Sequence, residues 1–105
     1  MQEQSNHLEN LQSLRAEIDD IDERIILLIA KRFKATAHVG KLKAEHGLDP
    51  VDLKREVVQR QRYSRLAGEN DVNEETINRV FRFLIETVVL NHVAIAQAGI
   101  TSSDC

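Results

Sequence analysis

The strongest constraint on this chain is a row of ten positions spaced alternately by three and four residues. They read Leu11, Leu14, Ile18, Ile21, Ile25, Leu28, Arg32, Ala35, Val39 and Leu42. This is the seam of one long amphipathic helix, and nothing else accommodates it. Nine of the ten are apolar and the exception is an arginine. A guanidinium keeps its proton, and burying it uncompensated costs several kcal/mol. Arg32 therefore either pairs with a carboxylate of the protein or receives an anion within a helical bundle, and the rest of the sequence favours the anion.

The helix-forming pattern continues to about Gln97. Asn6 and Glu9 stand three apart, as in a capping box, and Gly47 supplies the left-handed residue that ends a helix near His46. Asp49 and Pro50 suit an N-cap and first position of a second helix, which should stop at Gly68. Asn73 would cap a third, with the stripe Ile77, Phe81, Leu84, Ile85, Val88, His92 and Ile95. The stripe fades near Gln97. The expected architecture is all-α: a very long N-terminal helix and two shorter ones in a single domain over residues 1–105, ordered over about 8–97 with a tail at 98–105. A seam roughly 60 Å long exceeds what two short helices can cover in one layer. Pairing two copies across a two-fold axis removes the difficulty; an ordinary three-helix hairpin is the alternative.

Composition narrows the function classes. Fourteen Lys and Arg against 17 Asp and Glu give a net charge of −3, with no general attraction to nucleic acid or an anionic membrane. The sequence lacks a run of roughly 18 consecutive apolar residues, and the polar N-terminus does not resemble a signal peptide. The one cysteine, Cys105, permits no internal disulfide. A cytoplasmic protein without a fused second domain is expected. His7, His38, His46 and His92 have no metal-ligand spacing, and no glycine-rich phosphate loop or nucleophile–base pair occurs.

Polar groups do fall on the inward stripes. Lys43 follows Arg32 by about three helical turns and shares its face. Asp52, Arg55, Glu56 and Gln59 form one face early in the second helix, and His92 interrupts the third stripe. The plainer readings are a solvated face and a hydrogen-bonded core histidine. Arg15 lies about 25 Å before Arg32 along the helix, so one small ligand meets both only if Arg15 comes from a second chain. Together these describe a cationic pocket that holds a dianion and stabilises developing charge.

Leu14-Arg15, Ile18-Asp19, Arg32, Val39-Gly40-Lys41-Leu42-Lys43 and Asp52-Leu53-Lys54-Arg55-Glu56 resemble the all-helical chorismate mutases, over residues 8 to 97. The resemblance implies an intertwined homodimer that converts chorismate to prephenate by a Claisen rearrangement, with no cofactor and no metal. It implies that Arg32 and the partner's Arg15 grip the substrate carboxylates and that Lys43 donates to the ether oxygen. Glu56, beside Asp52, would take the ring hydroxyl, and Arg55 would support the carboxylate end. Two positions depart from the family pattern. Val88 stands where a hydroxyl residue is common, and His92 where a glutamine or glutamate faces the ether oxygen. His92, which can donate as either neutral tautomer or as imidazolium, is expected to replace that donor and to make turnover pH-sensitive around neutrality. Rival readings are an isochorismate-pyruvate lyase, a 4-amino-4-deoxychorismate mutase, or a non-catalytic helical dimerisation module. Asp52, Arg55 and Glu56 favour the mutase over the lyase.

Overall fold

A computed structural model describes the backbone of residues 2–103 and the side chains of residues 6–98. Three helices follow one another, α1 (Gln2–Glu45), α2 (Leu53–Glu69) and α3 (Glu74–Ser103), with no strand among the described residues. The chain divides into two compact units, residues 1–34 and 35–105.

The first unit is the larger part of α1. The helix is already running at Gln2, so Asn6 and Glu9 lie inside it and do not cap it. Its apolar stripe is open to solvent: Leu8, Leu11, Leu14, Ile18, Ile21, Ile25 and Leu28 are 43–64% exposed.

The second unit holds the end of α1 with α2 and α3. The C-terminus of α1 closes as expected from Gly47. That residue has φ +64°, Leu48 N–H donates to Lys43 O at 2.7 Å, and Gly47 N–H donates to Ala44 O at 3.3 Å. This is a Schellman closure, which satisfies two carbonyls the helix would leave open.

The start of α2 differs from the sequence expectation. Asp52, not Asp49, is the N-cap, accepting from the backbone N–H of Arg55 at 3.0 Å. The Asp49 carboxylate is occupied two residues on, by Val51 N–H at 2.9 Å. Such local side-chain turns around a proline compete with helix initiation, and here the turn wins. The end of α2 also shifts. Gly68 lies within the helix, and Asp71 takes the left-handed conformation at φ 54°. Val72 N–H then donates to Ala67 O at 2.9 Å, the same closure three residues later than glycine suggested.

Asn73 caps α3 as anticipated: its side-chain oxygen accepts from the N–H of Thr76 at 2.9 Å and from its hydroxyl at 3.2 Å. The helix does not fade at Gln97 but runs to Ser103, while Asp104 and Cys105 of the expected tail lie outside the described residues. The stretch from Glu74 to Ala98 is long and apolar enough to cross a membrane by length and composition alone. It carries Arg79, Arg82 and Glu86, and we describe it as a helix of the bundle. Helices α2 and α3 pack as a hairpin, stapled where the Ser64 hydroxyl donates to the Glu74 carboxylate at 2.6 Å and where Tyr63 stacks on Phe81, centroids 4.1 Å apart. Among the described residues Ala67 is the only buried apolar side chain, so a single chain has almost no core.

Candidate functional site

In residues 1–34, Arg15 is exposed on α1. Arg32 is half-buried near the end of that unit, and its Nη1 is shielded from solvent.

In the second unit, Lys43 is half-buried and its Nζ donates to Pro50 O at 3.2 Å. That bond ties the end of α1 to the connection before α2 and leaves two of the three ammonium protons for other acceptors. On α2, the Asp52 carboxylate is engaged by its own helix start and Arg55 is exposed. Glu56 is half-buried. It opens on a groove of about 310 Å³ between α2 and α3, with Arg60, Tyr63, Phe81, Arg82 and Glu86 along it.

The sequence reading missed Tyr63, Arg60 and Arg82 as neighbours of Glu56. Tyr63 follows Glu56 by seven residues and so continues the same helix face, which is the signal that was available. The stack on Phe81 was not readable locally, because it joins two helices.

On α3, Val88 is half-buried and His92 is 4% exposed. The plainer reading of His92 describes its contacts: Nε2 donates to the backbone carbonyl of Thr36 at 2.7 Å, across 56 residues of sequence. Nδ1 is shielded from solvent and has no hydrogen-bond partner among the described residues. The ring reaches the α1 backbone because residue 40 is glycine. A Cβ there would lie 2.6 Å from His92 Cδ2, 3.1 Å from Nε2 and 3.1 Å from Ile95 Cδ1. Gly40 and His92 are thus a matched pair, a relation absent from the sequence reading. Lys43 follows Gly40 by three residues, so on α1 the face that carries Thr36 and Gly40 also carries Lys43.

No group of three or more His, Cys, Asp or Glu side chains is placed to hold a metal ion among the described residues. The chemistry on hand is hydrogen-bond donation and charge: two arginines and a lysine on α1, a carboxylate and an arginine on α2, and an imidazole on α3.

Among the described residues this inventory offers hydrogen-bond donors and charge, chemistry suited to a small anion. The chain belongs to the family described as chorismate mutase type II, whose model matches residues 14–93. It is 34% identical over 79 residues to the chorismate mutase of Methanocaldococcus jannaschii, a match covering 75% of this chain and 80% of that protein. It is 33% identical over 81 residues to a bifunctional chorismate mutase/prephenate dehydratase of Buchnera aphidicola, and 36% over 75 residues to the T-protein of Haemophilus influenzae. Those matches take 77% and 71% of this chain but only 21% and 20% of the relatives, so the chain spans about a fifth of their length.

Proposed function

We propose that this protein converts chorismate to prephenate as an intertwined homodimer, using fixed charge and no cofactor. The observation that carries the reading is the family match over 14–93, which brackets every candidate residue from Arg15 to His92. The open stripe of α1 supports the dimer. Burying the remaining half of each leucine or isoleucine is worth about 1 kcal/mol, so the six seam residues from Leu11 to Leu28 in two chains supply on the order of 10 kcal/mol. A chain whose only buried apolar side chain among the described residues is an alanine needs such a partner surface.

In the rearrangement the enolpyruvyl group folds over the ring, the ether C–O bond breaks and a C–C bond forms. Negative charge gathers on the ether oxygen and positive charge on the ring. No proton moves, so the protein acts by selecting the folded conformer and stabilising this separation. In this reading Arg32 and the Arg15 of the second copy bind the two carboxylates, with Arg55 supporting them. Lys43 donates one of its uncommitted protons to the ether oxygen, while Glu56, with Asp52 nearby, accepts from the ring hydroxyl. Val88 packs against the ring, and His92 lies on the ether side. With one cysteine and a chorismate-consuming role, a cytoplasmic location fits.

The test uses both the assay and the symmetry. Purified protein should remove the chorismate absorbance band, with isochorismate and 4-amino-4-deoxychorismate run in parallel as competing substrates. Arg15→Ala and Arg32→Ala should each be nearly inactive. Co-refolded in equal amounts they should regain about a quarter of wild-type activity, because half the dimers are mixed and each mixed dimer holds one intact site. No recovery on mixing refutes the shared site, and turnover of only an analogue refutes the substrate.

A further inference from the structure

Lys43 is anchored at both ends by the connection between α1 and α2. Its backbone carbonyl accepts from Leu48 N–H at 2.7 Å, in the closure made at Gly47, and its ammonium donates to Pro50 O at 3.2 Å. A lysine side chain is a flexible stem with large rotamer freedom, so its ammonium stays in one place only when something holds it. Where the Lys43 ammonium sits is therefore decided by where the Pro50 carbonyl points.

That carbonyl is itself held from behind. Pro50 O and Val51 N–H are the two ends of one trans peptide, and in such a plane they point in opposite directions. The N–H end donates to Asp49 Oδ1 at 2.9 Å. One peptide plane thus lies between a carboxylate and an ammonium, and turning it breaks both bonds. Proline fixes its own φ and restricts Asp49 to extended backbone, so few other ways to turn the plane remain. The two bonds polarise the peptide in the same sense, which strengthens each.

The arrangement holds the ammonium without neutralising it. Its acceptor is an uncharged carbonyl, and Lys43 has no ion pair among the described residues. A carboxylate bonded directly to the ammonium would cancel the field that a developing anion needs. Asp49 is exposed and does not cap α2, since Asp52 does. Its one hydrogen bond is the one that fixes the peptide behind Lys43.

We propose that Asp49 is a positioning residue for the rearrangement: by clamping the 50–51 peptide it aims the Lys43 ammonium, through Pro50 O, at the ether oxygen of the bound substrate. This deepens the chorismate mutase reading and rests on the role that reading gives Lys43.

Two non-reacting bicyclic dicarboxylates, shaped like the cyclic transition state and differing only in an ether oxygen replaced by CH₂, isolate the Lys43 contact. In calorimetric titration wild type should prefer the ether compound by about tenfold or more, and Lys43→Ala should abolish the preference. Asp49→Ala should cut the preference to about twofold and lower kcat/KM about tenfold, with unchanged circular dichroism and unchanged affinity for the methylene compound. Asp49→Asn keeps an acceptor oxygen for Val51 N–H and should restore both quantities to within about twofold of wild type. In a Lys43→Ala background, Asp49→Ala should have no further effect on kcat/KM. The proposal is overturned if Asp49→Ala retains the full preference, weakens both compounds equally, acts without Lys43, or is not rescued by asparagine; the mutase reading then stands. Wild type that turns over chorismate without preferring the ether compound overturns the proposal through Lys43 and leaves the activity standing. If wild type neither binds these compounds nor turns over chorismate, the mutase reading fails and this proposal falls with it.

Discussion

Replacing Gly40 with alanine sets two effects of opposite sign against each other, and the structure says which is larger. In a helix interior the change alone is worth about 1 kcal/mol in favour of alanine. The new Cβ, however, would sit 2.6 Å from His92 Cδ2, about 1 Å inside ordinary carbon contact. Helix backbone cannot yield by that amount, so the ring must. The ring is held by a 2.7 Å bond, and a retreat of about 1 Å takes it beyond hydrogen-bond range. Leaving that buried N–H and the Nδ1 edge misplaced costs about 1–3 kcal/mol, and overpacking against Ile95, 3.1 Å from the same Cβ, adds about 1–3 kcal/mol. The net is about 1–5 kcal/mol of destabilisation. Urea unfolding at fixed protein concentration measures it, since the stability of a dimer depends on concentration. Adding His92→Ala to Gly40→Ala should recover at least about 1 kcal/mol relative to the sum of the single changes, because the clash then has no second partner. A Gly40→Ala protein more stable than wild type would show that the two helices do not approach as described.

Four further outcomes follow from the same geometry. Arg32→Ala should lower kcat/KM by about 10²–10³, as loss of a charged donor from a dry site does, with the folded fraction unchanged by circular dichroism. Asp52→Ala should cost about 0.5–2 kcal/mol through the lost cap on Arg55 N–H, read by urea unfolding, whereas Asp49→Ala should leave the start of α2 intact. Asp71→Gly should stabilise the α2–α3 hairpin by up to about 1 kcal/mol, because glycine carries no penalty at φ 54°. Ile21→Glu, in the middle of the open stripe of α1, should shift the protein to monomer or to an unfolded chain in sedimentation analysis; an unchanged dimer would place the interface elsewhere.

Much of this protein was legible in its residues because the relevant signals are local. The row from Leu11 to Leu42 forecasts one long helix, Gly47 its closure and Asn73 the start of α3, each read from residues within a turn or two of one another. The family is legible for a related reason: Arg15, Arg32, Lys43, Asp52, Arg55 and Glu56 form an ordered set whose spacing is itself information. Two local signals misled. Asp49 and Pro50 pointed to a helix start that Asp52 caps instead, and Gly68 pointed to a stop that falls at Asp71. The backbone settled these through Val51 N–H occupying Asp49 and Val72 N–H reaching Ala67 O.

What only tertiary structure decided is the environment of His92. From the stripe it was either a packing residue or a donor to a ligand. Its bond to Thr36 O, 56 residues away, assigns one nitrogen to the fold and leaves the other enclosed without a hydrogen-bond partner among the described residues, a distinction that exists only once α3 lies on Gly40. Chain-local periodicity determines which face of a helix is apolar. It carries no term for which residue of a distant helix that face will meet, since contact across the chain depends on the closed geometry of all the elements together.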